Sequence, residues 1–255
     1  MIRGIVFDLF DTLVDQNLRR LPPVEVGGRR AMPTLPDLQA ALREQVGVAL
    51  PLERLAAELA EVDALLRPST LDVGVELPTR DRFRALARRL DVADADAIAE
   101  ALTAVHMGAL RAAVTVPDHH EAVLRTLAAK RPLGLCSNCS DGATARAVLA
   151  EAGFLPHLRS IAISEEVGFR KPRAEIFEAA AAGLGLAPRE LLHVGDSLSA
   201  DVAGARAVGM KTVWLTRQVR DPEALLARSG GPGPDVALDD LRDLPVLIAR
   251  FGAMT

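Results

Sequence analysis

The chain opens with a short apolar run, residues 2–7 (IRGIVF), that stops at Asp8, the pattern of a buried strand. The stretch Asp15–Pro36 is polar and interrupted by prolines and glycines, too broken for a helix. Apolar residues then recur at three- and four-residue spacing over Asp37–Gln45, Leu52–Leu66, Thr79–Leu90 and Asp94–Ala112. That spacing predicts four amphipathic helices, with Thr79 and Asp94 as N-caps and Pro51 and Pro68 as breaks. No strand of comparable strength interrupts them, so residues 16–112 read as an all-helical insert, tethered near residues 15–33 and 112–117.

After Pro117 the texture alternates. His120–Lys130, Gly142–Ala152, Ala174–Leu184, Ser199–Val208 and Pro222–Arg228 read as helices. Between them Leu133–Cys136, Ser160–Ile163, Leu191–Val194, Thr212–Leu215 and Val236–Leu238 read as short apolar strands. Such alternation means βαβ units on a parallel sheet covered on both faces. The first strand cannot bury itself among helices and must join this sheet. The expected architecture is therefore an α/β core of residues 1–15 and 113–255, split just after its first strand by the helical insert.

Composition changes this picture little and excludes several function classes. The 255 residues are 49% hydrophobic and 25% charged, the balance of a globular protein. Thirty basic against 34 acidic residues leave a formal charge of −4, so nothing asks for a nucleic acid or a membrane surface. No apolar run is long enough for a membrane helix, and Asp8 interrupts what would have to be the apolar region of a secretory signal, so a cytoplasmic location is expected. Cys136 and Cys139 form a lone CxxC, read as packing residues in the absence of a second pair. Tyrosine is absent and only three lysines occur, Lys130, Lys171 and Lys211, which makes the position of each lysine informative. His119, His120 and His193 lack ligand spacing to other histidines or acids and read as structural.

Ligands of open parallel sheets bind beyond the carboxyl ends of the strands. Asp8 and Thr12 stand after the first strand (DLFDTLV), and Ser137 and Asn138 close the LGLCSN strand. Lys171 follows the Ser160–Ile163 strand (EEVGFRKP), and Gly195, Asp196 and Asp201 follow Leu191–Val194 (HVGDSLSAD). Carboxylates, a hydroxyl and a lysine from four strands suit a hard cation and a phosphate. An acid or hydroxyl at a strand end also serves as a helix N-cap, a role open to Asp8, Ser137 and Asp196, while Lys171 and Asp201 could lie on the surface.

These four ordered motifs resemble those of the haloacid dehalogenase-like (HAD) hydrolase superfamily, in the subfamily with a helical cap inserted after the first motif. The resemblance covers Met1 to about Leu215 and implies a Rossmannoid core with a parallel sheet flanked by helices. It makes Asp8 the nucleophile that takes the transferring group. Ser137 would hold phosphoryl oxygens with help from the backbone around Asn138, and Lys171 would neutralise charge on nucleophile and phosphate. Asp196 would ligate Mg²⁺ together with the Asp8 carboxylate and the Phe10 carbonyl. Asp201 would be the second acid of that motif, in the metal site or ordering Lys171, and Thr12 would hydrogen-bond and orient Asp8.

One position departs from the pattern. Phosphatases of the superfamily place a second Asp two residues after the nucleophile as general acid and base, and here that residue is Phe10. Asp11 is expected to face away and to bond backbone in the local turn. An aromatic there resembles the 2-haloacid dehalogenases, whose carbon–halogen bond needs no leaving-group proton. Those enzymes do without the metal acids, however, which this chain keeps at Asp196 and Asp201. The expectation is an Mg²⁺-dependent phosphatase of a small phosphorylated metabolite, monomeric or homodimeric, with a dehalogenase-type hydrolase and a catalytically weak ligand-binding or interaction protein as the alternatives. Arg19, Arg20, Arg29 and Arg30 read as a solvated loop, and substrate choice would sit in the cap, where no motif is found.

Overall fold

In the computed structural model, residues 1–253 are described, with side chains through Ala249. They divide into two compact units, one of Met1–Asp15 with the described chain from Thr115 onward, the other of Gln16–Val114. Strand β1 (Gly4–Phe7) is fully buried. The chain crosses between units at two short strands, β2 (Asp15–Gln16) and β5 (Val114–Thr115), which pair with each other.

The helical unit begins with a feature the sequence reading passed over as loop. Val24–Val26 (β3) and Arg29–Ala31 (β4) form an antiparallel hairpin closed by Gly27 and Gly28. Both glycines have positive φ, 57° and 73°, as a two-residue hairpin turn of matching twist requires. A Gly-Gly pair between alternating residues was the available signal. Four helices follow: α1 (Leu35–Val46), α2 (Leu52–Leu66), α3 (Thr79–Arg89) and α4 (Ala95–Ala112). Helix α1 starts two residues before the expected Asp37 because Pro36 fits the first turn, where no N–H bond is lost. Asp94 caps α4 by accepting from the Ala97 N–H at 3.0 Å, but Thr79 lies inside α3 and Pro78 precedes it. The apolar stripes meet in one core that includes Leu38, Leu55, Phe83 and Leu102.

In the other unit, α5 (His120–Ala128), α6 (Gly142–Glu151), α7 (Ser164–Val167) and α8 (Ala174–Leu184) alternate with β6 (Leu133–Ser137) and β7 (Leu158–Ile163). Strand β8 (Leu191–Gly195) leads through a π-helical turn, Leu198–Val202, into α9 (Ala203–Ala207), where a single helix was expected. Strand β9 (Lys211–Leu215), α10 (Pro222–Arg228), β10 (Val236–Leu238) and α11 (Leu244–Ala253) complete it; α11 was not foreseen. The six strands run in the order β10-β9-β8-β1-β6-β7, all paired parallel. From β1 the chain builds outward through β6 and β7, then returns to the other side of β1 with β8. That reversal splays the connections apart and leaves a crevice at the carboxyl ends of β1 and β8, where open sheets take ligands.

Candidate active site

Register brings the site together. Phe7 pairs with Leu135 on one side and Val194 on the other, so Asp8, Ser137 and Asp196 emerge at one edge. The Asp8 amide donates to the Val194 carbonyl at 2.9 Å, which extends the ladder one step and fixes where its side chain leaves the strand.

Lys171 lies at the centre, with its side chain 2% exposed. Its Nζ is 2.7 Å from Asp8 Oδ1 and 2.5 Å from Asp201 Oδ1. The Asn138 amide clamps the lysine's backbone: Oδ1 accepts from the Lys171 N–H at 2.7 Å, and Nδ2 donates to the Lys171 carbonyl at 3.1 Å. Both ends of that amide are thus committed to holding Lys171. Asp201 is equally engaged, since its Oδ1 also meets His193 Nε2 at 2.9 Å and its Oδ2 accepts from the Ser197 N–H at 3.0 Å. Gly195 is required beside it, because a Cβ there would stand 2.2 Å from the Asp201 carboxyl carbon.

The charges sort by what faces them. Burial would raise the Asp201 carboxyl, but Lys171 and the His193 hydrogen bond outweigh it and hold it well below the usual range. Burial would lower the Lys171 ammonium, and the two carboxylates raise it instead. Asp8 is pushed up to about 6, by burial first, with Lys171 opposing. On Asp196 the Lys171 charge weighs least. Burial, followed by the charges of Asp8, Asp201 and Asp11, pushes it up to about 8. The carboxylates of Asp8, Asp196 and Asp201 lie within 4.8 Å of one another, a set of hard oxygen donors with excess negative charge. A divalent cation fits that deficit. The Trp214 indole N–H donates to the Asp196 carbonyl at 2.7 Å and steadies the turn that carries this acid.

Two buried hydroxyls, Ser137 Oγ and Thr12 Oγ1, have no hydrogen-bond partner among the described residues. Ser137 therefore offers an uncommitted donor at the sheet edge. For Thr12 this corrects an expectation: it does not hydrogen-bond Asp8. Phe10 is partly buried in the turn after β1. Asp11 takes a left-handed backbone (φ 57°), so the alternation of an extended chain no longer settles where its side chain points. The sequence reading missed His193 as a partner of Asp201 and Asn138 as a clamp on Lys171. Proximity of HVGD to the strand end was the one signal for the former; only the fold could reveal the latter. Cys136 and Cys139 are buried and are not joined by a disulfide.

A model of the haloacid dehalogenase-like hydrolases matches residues 2–209. A glyceraldehyde 3-phosphate phosphatase of Methanopyrus kandleri is 29% identical over 249 residues, which cover 96% of each chain. A phosphoserine phosphatase of Thermus thermophilus is 40% identical over 101 residues, 39% of this chain and 37% of that protein. Among solved structures, a 2-haloacid dehalogenase from Pseudomonas syringae superposes with a TM-score of 0.72 at 23% identity, covering 98% of this chain and 100% of that one. That last likeness concerns the fold. No helix among the described residues is long and apolar enough to cross a membrane.

Proposed function

The chain belongs to the haloacid dehalogenase-like hydrolases, and from that premise we propose that it is an Mg²⁺-dependent phosphatase of a small phosphorylated metabolite. Asp8 is the nucleophile. Its Oδ attacks phosphorus while the bond to the substrate's leaving oxygen breaks, giving an aspartyl phosphate, and water then cleaves this to inorganic phosphate and free Asp8. Lys171 holds Asp8 ionised and offsets charge gathering on the phosphoryl oxygens, while the unpartnered Ser137 hydroxyl donates to one of them. Asp8 and Asp196, with the Phe10 carbonyl, would hold the metal, which supplies electrostatic stabilisation of the transferring group. We place Asp201 as the buried counter-charge that aims Lys171, since both its oxygens are already used. Asn138 likewise positions Lys171, and the helical unit acts as the cap.

The observation that carries this reading is geometric: ligand oxygens of Asp8, Asp196 and Asp201 gather within 4.8 Å of one another at the sheet edge, with Lys171 Nζ 2.7 Å from Asp8 Oδ1. The named activities of the sequence relatives support the same reaction class. Phe10 leaves no acid at the usual place, so leaving groups that depart unprotonated, such as carboxylates and enolates, are favoured. The same residue favours the second reading, hydrolysis of carbon–halogen bonds. A screen of phosphate release with and without Mg²⁺, beside halide release from 2-haloacids, separates the two. Expected is phosphate release that chelator abolishes and that Asp196→Asn lowers at least ~10³-fold, about 4 kcal/mol of transition-state stabilisation. Full activity in chelator, or halide release alone, overturns the proposal.

A further inference from the structure

Away from the sheet edge, the α/β unit brings together three side chains that sequence spacing kept apart. His119 and His120 open α5, and Asp240 stands 121 residues further on, before α11; their ligand atoms lie within 4.8 Å of one another. Each offers what a ligand needs. The Nδ1 of His120 lies 2.8 Å from the Leu13 carbonyl, which can only accept, so Nδ1 carries the proton and Nε2 keeps its lone pair. That Nε2 is buried and has no partner among the described residues, on a residue with 0% exposure. A backbone carbonyl fixing the far nitrogen of an imidazole is the usual support of a metal-bound histidine. His119 Nε2 meets Asp240 Oδ1 at 2.7 Å, and both side chains are partly exposed, which gives an ion a way in. The other contacts of Asp240 among the described residues, from the Arg242 N–H and its guanidinium, also fall on Oδ1, so Oδ2 is uncommitted.

We infer that His119, His120 and Asp240 form a second metal site, for a divalent cation of the zinc class, with water completing the coordination. Two imidazoles and a carboxylate select Zn²⁺, Co²⁺ or Ni²⁺ over Mg²⁺, which requires oxygen donors. Nearby Arg217 is paired with Asp15, so its charge does not bar the site. The entering ion replaces the His119 Nε2···Oδ1 contact, and the neutral imidazole takes the tautomer with its single proton on Nδ1, leaving the Nε2 lone pair for the ion. Once bound, the ion ties the start of α5 to the segment before α11. Through His120 it also steadies Leu13, in the turn that follows Asp8. The inference does not depend on the phosphatase reading.

The test adds Zn²⁺ or Co²⁺ to the full chain in saturating Mg²⁺, which fills the oxygen site. Expected is one equivalent of tightly bound Zn²⁺, the intense visible bands of four-coordinate Co²⁺, and a melting temperature raised by about 5–10 °C at roughly 100-fold excess over Kd. His119→Gln, a substitution at a half-exposed position, should weaken binding at least ~10-fold and remove the bands. Its Mg²⁺-dependent activity should persist. Asp240→Asn should do the same, but Asp240 also caps the turn that follows it, so His119→Gln decides if that variant folds poorly. Equal Zn²⁺ affinity in wild type and His119→Gln, or no thermal shift in wild type, overturns the site.

Discussion

The helical unit and the α/β unit bury their contents in opposite ways. Leu38, Leu55, Phe83 and Leu102 fill the helical core, and the ion pairs Arg82–Asp63 and Arg84–Asp96 lie toward its surface. Even Glu58, which is buried, reaches two arginines with exposed heads, Arg54 and Arg89. The α/β unit instead sets Asp8, Lys171, Asp201 and His193 side by side, none more than 8% exposed. Taking an ion out of water costs several kcal/mol, and hydrophobic burial elsewhere must offset it. In that unit the cost falls at the strand ends, where the parallel ladder fixes each group and a low dielectric strengthens every charge. A helical core has no comparable edge, and it carries none of the candidate chemistry.

The sharpest test of this contrast removes one cation from each unit. Lys171→Met leaves Asp8 and Asp201 buried without their counter-charge and should cost about 3–5 kcal/mol of stability. Arg82→Met breaks a two-point pair with Asp63 at 2.6 and 2.7 Å, but a partly solvated one, and should cost under about 1 kcal/mol. Urea unfolding reads both. Trp214, the single tryptophan, reports on the α/β unit, and far-ultraviolet circular dichroism reports on the helices. Comparable losses in the two variants would mean that the buried cluster is no more strained by charge than the helical surface.

A smaller effect comes from a partly buried histidine of the helical unit. His106 contacts the Thr34 hydroxyl at 2.7 Å through Nδ1 and the edge of the Phe83 ring. Burial, with the Arg82 charge adding to it, lowers its pKa to about 4 from the usual 6.5. Above pH 6.5 neither the folded nor the unfolded chain binds this proton, and stability is unaffected. Between pH 6.5 and 4 the unfolded chain takes it up and the folded one does not, so stability falls with pH and levels off below 4. The full loss is about 3 kcal/mol. His106→Gln should flatten that slope in the dichroism-monitored transition. An unchanged slope would assign the acid sensitivity of the helices to other groups.

The contrast also explains what could be read in advance. Periodicities of two kinds marked the helical and α/β segments, because both the 3.6-residue stripe and the apolar strand are local patterns. The residues at the strand ends were legible for the same reason: Asp8, Ser137, Lys171 and Asp196 each follow a recognisable strand. What stayed hidden depends on distant partners. Asn138 clamps a backbone 33 residues away, and nothing in its neighbours says so. The resemblance left Asp201 in the metal site or ordering Lys171; the fold adds His193, which engages it from another direction. Asp240 makes His119 and His120 a cluster across 121 residues. The Gly27–Gly28 hairpin is a local pattern as well, set among prolines and charged residues that blur its alternation.

The smallest expected effect tests the one apolar residue among these charges. If Phe10 occupies the acid position, Phe10→Asp should supply the proton that an alkoxide leaving group needs. The backbone carbonyl is retained, and the new side chain is smaller, so no clash is introduced. Losing a partly buried ring costs on the order of 1 kcal/mol of stability. The introduced carboxyl joins Asp8 and Asp11 in a neighbourhood where burial first, and the charges of Asp8, Asp201 and Asp11 after it, push Asp196 up to about 8. The same surroundings favour a protonated, acid-competent form of the new group. Turnover of alkyl phosphates should rise at least ~10-fold, a barrier lower by about 1.4 kcal/mol. Nitrophenyl phosphate, whose leaving group hardly needs a proton, should gain less. The measurement is kcat/KM for both substrates in wild type and variant, each confirmed folded. An equal or lower rate on the alkyl phosphate would mean that another residue already gives the proton. Asp11, with its left-handed backbone and its reach toward Asp196, is then the residue to replace: a large loss in Asp11→Asn would make it the displaced acid, and the α/β unit's edge would hold one more working carboxylate than its motif spacing predicts.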